Sequence, residues 1–303
     1  MMDYDMETDN DYMGDEFFDE LDNDFDGINF TDEQQERIRE KLTSILDYEP
    51  KVGILGKTSV GKSSLCNALF GRDICEISDI EACTRETQEV LLDLGGNGLT
   101  LLDVPGFGES REKDREYEKL YKKLLPELDL ILWVLKADDR AYTSDEMFYK
   151  NIAKQHIAKG KPFFFVLNQC DKIEPYKDWD DDNNVPGYRQ EDNINQKIES
   201  VSEYFDVEPS KIIPVSANAR YNLAELIDEI VQSLPRDKKI AFFKKIPEEN
   251  RSDKSTATVR RSWYECVADT IVAVCDAIRD IVFKVLDNSG NAIERFFSKM
   301  FRL

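Results

Sequence analysis

The chain has 303 residues, 41% of them hydrophobic and 34% charged, enough for a sizeable core with additions at its ends. Its formal charge of −22 is uneven, because the first 30 residues carry twelve acids and no Lys or Arg. Such acidity argues against a general affinity for nucleic-acid backbone, which needs clustered cations, and a lone histidine, His156, excludes a histidine triad or a multi-histidine metal site.

Residues 1–30 alternate acids with scattered aromatics, a composition whose self-repulsion outweighs its apolar content, and read as a disordered, solubilising tail. Thr31 and Gln34 then form a capping-box pattern, and Ile38, Leu42, Ile45 and Leu46 recur at helical spacing, which predicts one amphipathic helix over 31–49. Glu49-Pro50 ends it. The apolar run Val52–Leu55 reads as a buried strand that enters a glycine-rich loop.

From there strands at 52–55, 87–94, 99–104, 129–136, 162–168 and 211–215 alternate with helices at 62–70, 112–125, 144–159, 191–204 and 222–233. Gly95-Gly96-Asn97-Gly98 turns the second strand into the third as a hairpin. This pattern implies an α/β fold, a mainly parallel six-stranded sheet with one antiparallel edge strand, covered on both faces by helices. The domain spans 50–235 and closes at Leu234-Pro235.

Residues 236–262 carry nine Lys or Arg against four acids with little periodicity, and read as a basic connector. In the C-terminal segment 263–303, Tyr264, Val267, Ile271, Val274, Ile278, Ile281 and Val285 repeat in 3-4 steps along one helical stripe. Asn288-Ser289-Gly290 stops that helix, and a last short one places Ile293, Phe296, Phe297, Met300 and Phe301 on one side. Packing against the protein itself is the leading expectation for the stripe; the basic last helix is the better candidate for a membrane surface or a protein partner.

The six cysteines show no CxxC pair or metal-ligand spacing and read as reduced thiols of a cytoplasmic protein. The N-terminus lacks a basic region followed by an apolar run, and no stretch reaches the roughly 18 apolar residues of a spanning helix. The reading is therefore cytoplasmic, with peripheral membrane attachment as the alternative. The acidic run Asp178-Trp179-Asp180-Asp181-Asp182 lacks the glycine and final glutamate of an EF-hand loop and reads as a solvated insertion.

The chemistry lies in the loops that follow the strands. Gly56-Lys57-Thr58-Ser59-Val60-Gly61-Lys62-Ser63 matches GxxxxGK[ST] between a strand and a helix. Glycines let the backbone wrap phosphate, Lys62 reaches the terminal phosphates, Ser63 offers a hydroxyl to Mg²⁺, and the helix N-terminus, with Ser64 in its first turn, adds partial positive charge. Strand 99–102 ends in Asp103-Val104-Pro105-Gly106, so that the Asp103 carboxylate can hold the metal through water and the Gly106 amide can approach a γ-phosphate. Asn168-Gln169-Cys170-Asp171 and Ser216-Ala217 each follow a strand.

In these motifs, over Lys51 to Pro235, the sequence resembles the Era-like branch of the TRAFAC class of P-loop GTPases. The resemblance implies that Asp171 pairs with the N1 and N2 donors of guanine, that Asn168 braces the loop, and that the Ala217 amide donates to O6. GTP is preferred to ATP because adenine lacks that donor pair and would leave Asp171 unpaired. Gln169 replaces the lysine that packs over the base in the family. Thr84, in Ala82-Cys83-Thr84-Arg85, stands where the family's first switch binds Mg²⁺ and γ-phosphate, which makes Lys62, Thr84 and Gly106 the catalytic set.

Phe107 stands where Ras-like enzymes place a water-orienting glutamine. The resemblance therefore implies slow intrinsic turnover of GTP to GDP, raised by a partner or by a homodimer formed through the nucleotide face. K⁺ stays open, since Era-like members use asparagine where Ser59 stands whereas dynamin-like proteins use serine. Three roles follow: a nucleotide-dependent switch, a membrane-associated GTPase of the dynamin-like or immunity-related type, and, ranked third, a ribosome or RNA assembly factor, because no KH-type module follows the GTPase domain.

Overall fold

The computed structural model describes residues 30–57, 59–71, 90–93, 100–103, 119, 122, 125–150, 154–158, 160–275 and 291–301. The acidic tail, the hairpin turn at 95–98, almost all of the helix expected at 112–125, the stripe beyond Cys275 and the stop at Asn288–Gly290 lie outside these residues. The chain divides into two compact units, one made of Pro50–Leu234 and Lys245–Ser252, the other of Met1–Glu49, Pro235–Lys244 and Asp253–Leu303.

The first unit is built on six strands: β1 (Lys51–Leu55), β2 (Val90–Asp93), β3 (Thr100–Asp103), β4 (Leu130–Lys136), β5 (Phe163–Asn168) and β6 (Ile212–Pro214). They lie in the order β2-β3-β1-β4-β5-β6, parallel except for the antiparallel β2–β3 pair at one edge. Every residue of β5 and all but the last of β4 are buried, the burial expected of a parallel strand covered on both faces. Gly53 lets Leu128 pack close against β1, where a Cβ would meet Leu128 Cδ1 at 2.5 Å.

Helices α2 (Lys62–Phe70), α3 (Thr143–Phe148), α4 (Lys154–Ile157), α5 (Tyr188–Phe205) and α6 (Leu223–Ser233) flank the sheet. Of the helix expected over 144–159, the described residues show α3, continued as a π turn at 149–150, and α4, while 151–153 lie outside the described residues; α5 begins earlier than expected, directly after Gly187. Phe163, Phe165, Tyr149 and Phe205 make one aromatic cluster in the core, with Phe165 and Phe205 centroids 4.5 Å apart.

The second unit holds α1 (Asp32–Leu46), α7 (Arg236–Lys244), α8 (Asp253–Cys275) and α9 (Asn291–Phe301). The capping box at Thr31 forms with both bonds, Gln34 N donating to Thr31 Oγ1 at 3.3 Å and Thr31 N to Gln34 Oε1 at 3.0 Å. α1 buries Ile38, Leu42 and Leu46.

The basic connector expected over 236–262 is a correction: α7 and the first turns of α8 occupy much of it, separated by a 3-10 turn at Glu248–Asn250. The count of cations concealed Ile240, Ala241, Phe242 and Phe243, all buried, and the partners of the cations themselves. Arg236 pairs with Asp269 at 2.6 Å and Glu265 at 3.1 Å, and Arg260 with Glu294 at 3.3 Å. Val267, Ile271 and Val274 of the stripe and the apolar side of α9 are also buried, with Trp263 stacked on Phe296 at 5.4 Å and Phe243 against Phe301 at 5.6 Å. Among the described residues no helix is long and apolar enough to cross a membrane.

Candidate nucleotide site

β1 delivers the chain to Gly56, whose φ of +143° and closeness to the Val134 carbonyl exclude a side chain. Ser59 follows in the left-handed region at φ +67° and Gly61 at +91°, where a Cβ would lie 2.5 Å from Asn168 Nδ2. The loop thereby turns into α2, whose first bond runs from Leu65 N to Gly61 O at 2.9 Å. Val60 is buried beneath the loop. Lys62 Nζ donates across the loop to the carbonyls of Gly56 at 3.3 Å and Lys57 at 3.2 Å. Ser63 is half-buried and Ser64 exposed on the first turn of α2.

Asp103 ends β3 opposite Ile54 of β1, which puts it at the same end of the sheet as Gly56. Thr58, Thr84, Gly106 and Phe107 lie outside the described residues.

Lys57, second in the loop, has a role that spacing does not show. Its ammonium lies 2.7 Å from Asp145 Oδ2 and 3.6 Å from Asp139 Oδ2, and donates to the Ala141 carbonyl. Asp145 is 2% exposed, and Trp133 Nε1 donates to its Oδ1 at 3.1 Å. Burial pushes the Asp145 carboxyl up from its ordinary range, against the opposing pull of Lys57 and Trp133. At Asp139 burial is outweighed by the Ala141 amide and Lys57, and its carboxyl lies below that range. A helical pattern with acids in its first turn is no signal that one of them is a buried counter-ion to the phosphate loop.

The second half of the site comes from the ends of β5 and β6. Asn168, 1% exposed, joins three segments: its Nδ2 donates to Val60 O at 3.0 Å and Gly61 O at 3.4 Å, and its Oδ1 accepts from Ala217 N at 3.1 Å. Gln169 takes a left-handed conformation, φ +66°, and its Nε2 reaches Ser59 O at 3.5 Å. Lys172 Nζ donates to Gln169 Oε1 at 2.8 Å, so a cation stands beside the position where the family's lysine is missing. Cys170 is fully buried under this turn, and burial raises its thiol far above the ordinary range, which keeps it protonated.

Asp171 Oδ1 is buried with no hydrogen-bond partner. Orphaned buried carboxylate oxygens are costly, so this atom points to a ligand that brings its own donors. Ser216 Oγ accepts from Ala219 N at 3.1 Å, and Ser216 pairs with Tyr221 across a tight turn. The Ala217 N–H, expected to reach guanine O6, is engaged by Asn168; the next residue, Asn218, lines the same cavity as Asp171. That cavity, of about 560 Å³, is lined by Asp171, Lys172, Tyr176, Trp179, Asp181, Asn184, Asn218 and Ala219.

Phosphate loop, brace, orphaned carboxylate and edge-paired parallel sheet agree with what similarity finds. Residues 51–169 match the family model described as 50S ribosome-binding GTPase. The chain is 39% identical over 244 residues to the uncharacterized protein YkfA of Escherichia coli (strain K12), covering 80% of this chain and 81% of that one. The chain belongs to the P-loop GTPase family.

Within that family it is also 41% identical over 203 residues to the uncharacterized protein YfjP of the same organism, covering 67% of this chain and 68% of that one. GTPase Era of Clostridium kluyveri is a more distant relative, 26% identical over 189 residues, covering 62% of this chain and 57% of Era. The family is one of GTP-binding proteins, and the expected Era-like resemblance holds at this distance.

Proposed function

We propose that residues 50–235 bind GTP with Mg²⁺ and hydrolyse it slowly to GDP, as a switch whose turnover rises when a partner or a second copy completes the site. The observation that carries this reading is the Asn168 brace, which ties the phosphate loop to the turn at Ala217 while Asp171 Oδ1 faces no partner of its own. A ligand with a phosphate tail and a flat head bearing a donor pair answers both halves at once.

In this reading the amides of Gly56 to Ser64 surround the phosphates, including those of Lys57, Thr58, Ser59, Val60 and Gly61. Lys62 exchanges its two loop carbonyls for the terminal phosphate oxygens, a short movement because it already spans the loop. Asp171 takes the guanine donors, Gln169 with Lys172 flanks the ring, and Ser216 and Ala217 hold the turn that offers an amide to O6. Ser63, Asp103 and Thr84 are the proposed metal-binding residues. A hydroxyl and a carboxylate beside phosphate oxygens are the oxygen ligands that Mg²⁺ takes. Bound Mg²⁺ would supply charge neutralisation at the β- and γ-phosphates.

Thr84 and Gly106 complete the proposed catalytic set, and Phe107 offers no group to orient water. K⁺ near Ser59 and a homodimer across the nucleotide face are the two proposed sources of help. The membrane-directed alternative has less in its favour, because Ile293, Phe296, Phe297, Met300 and Phe301 of α9 are buried. Calorimetric titration with GDP, GTP and ADP, with and without Mg²⁺, tests binding, and phosphate release per protein over a concentration series tests hydrolysis. Tight ADP binding would sink the guanine assignment, and a fast rate independent of protein and K⁺ concentration would sink the need for help.

A further inference from the structure

The cavity beside Asp171 is larger than the base-recognition turns alone would make it, because half of its lining comes from the segment between Glu174 and Gly187, which spacing marked only as an acidic insertion. Tyr176, Trp179, Asp181 and Asn184 line it together with Asp171, Lys172, Asn218 and Ala219. At about 560 Å³ it lies inside the roughly 300–1,000 Å³ range of small-molecule sites.

The segment is held in place rather than draped over the surface. Asp178 receives Arg189 through two bonds, 3.0 and 3.2 Å, and Gly187 packs so closely on the Asp178 carbonyl that no Cβ fits there. Asp180 and Val185 pair their backbones, and the Asp180 carboxylate accepts from the amides of Asp182 and Asn183 and from Asn183 Nδ2 at 2.7–3.0 Å. These bonds commit the Asp180 carboxylate to the turn itself. Gln190, fully buried, donates to the carbonyls of Ile173 at 2.8 Å and Asp171 at 3.2 Å, which ties the base turn to the start of α5. Trp179 lies edge-on to Tyr221, which belongs to the Ser216 turn, with centroids 5.5 Å apart. Tyr176 is 54% exposed, its ring open to a ligand.

We propose that this segment is an affinity element of the nucleotide site, in which Trp179 and Tyr176 form an aromatic wall against a guanine base held by Asp171. The inference rests on the guanine reading above and extends it to residues outside the phosphate and base motifs. A flat heterocycle whose donor edge meets Asp171 gains contact area on a pre-organised wall without ordering any new segment. Base–aromatic contact of this kind contributes about 1–3 kcal/mol per base, which the wall as a whole would add to the binding of GDP.

The protein carries three tryptophans, and Trp133 and Trp263 are at most 1% exposed, whereas Trp179 lines the cavity. The test adds GDP to the full chain while following tryptophan emission, and measures Kd by calorimetry for the wild type, Trp179→Phe and the double variant Tyr176→Ala with Trp179→Ala. Expected are an emission change on GDP addition that disappears in Trp179→Phe, and a Kd for GDP about tenfold higher in the double variant with pyrophosphate affinity unchanged. Unchanged pyrophosphate binding shows that the phosphate loop is intact. If wild-type protein binds pyrophosphate but not GDP, the guanine reading falls and the wall with it. If wild type binds GDP with no emission change, or the double variant matches its Kd, the wall alone is overturned.

Discussion

Asn168 Nδ2 and the Val60 carbonyl lie 3.0 Å apart and join the end of β5 to the phosphate loop. The same side chain accepts the Ala217 amide at 3.1 Å, so one buried amide group sets the spacing between the phosphate half and the base half of the site. Asn168→Ala leaves two loop carbonyls and one amide short of a partner. The expected outcome is a loss of about 1–3 kcal/mol of stability together with weaker GDP binding. Chemical denaturation and calorimetry check both; a stable variant with unchanged GDP affinity would contradict the bracing role.

Asp171→Asn replaces an acceptor by a donor at the orphaned position. Guanine then meets donor against donor, whereas xanthine, which carries a carbonyl at C2, finds a partner. GDP affinity is expected to fall by at least about a hundredfold and xanthosine diphosphate to become the preferred ligand, since a site built around a base's donors rejects one that mismatches them by large factors. Competition titration with the two diphosphates reads the switch.

Lys57 and the buried Asp145 are a coupled pair, and breaking it from one side strands a charge. Lys57→Ala leaves the buried Asp145 carboxylate without its cation and is expected to cost about 3–5 kcal/mol, and Lys57→Ala with Asp145→Ala together less than the sum of the two single changes. A double-mutant cycle from denaturant unfolding measures the coupling; simple additivity would show that the pair contributes nothing.

The same carboxyl makes a prediction about pH. Because burial raises the Asp145 carboxyl above its ordinary value of 3.8, the folded state holds that proton more tightly than the unfolded chain. Its contribution to stability is therefore fully present below 3.8 and is lost as pH rises through the raised folded value. Asp145→Asn cannot titrate, so the difference in unfolding free energy between wild type and this variant should change across that window and be flat above it. A flat difference throughout would remove the assignment.

Asn250, 2% exposed, donates to the Ala68 and Leu69 carbonyls at the C-terminal end of α2, at 2.7 and 3.0 Å, and accepts from Arg220 at 2.8 Å. It supplies from outside the helix partners for two carbonyls of the last turn of α2, beside the bond from the Gly71 amide to the Asn67 carbonyl. Asn250→Ala is expected to cost about 1–3 kcal/mol, with hydrogen exchange rising in α2 first. Unaltered exchange there would separate Asn250 from the stability of the phosphate-loop helix.

What the chain's order of residues determined by itself is local and periodic. A run of Val, Ile, Leu and Phe bounded by turn residues makes a strand wherever it is buried on both sides, and glycines at 56 and 61 make a phosphate loop because the tight turn between a strand and a helix excludes a Cβ. For that reason the six strands, the antiparallel edge pair and the place of Asn168 at the end of β5 were legible in sequence. Tertiary structure alone decided which distant groups satisfy one another. Asp145 as counter-ion to Lys57, Asn168 between Val60 and Ala217, Asn250 on α2 and Trp179 beside Asp171 all depend on folding to bring separated segments together. The cations of 236–262 resembled a solvated linker for the same reason: charge counts along a chain are local, whereas the acids that pair with Arg236 and Arg260 become neighbours only when the helices pack.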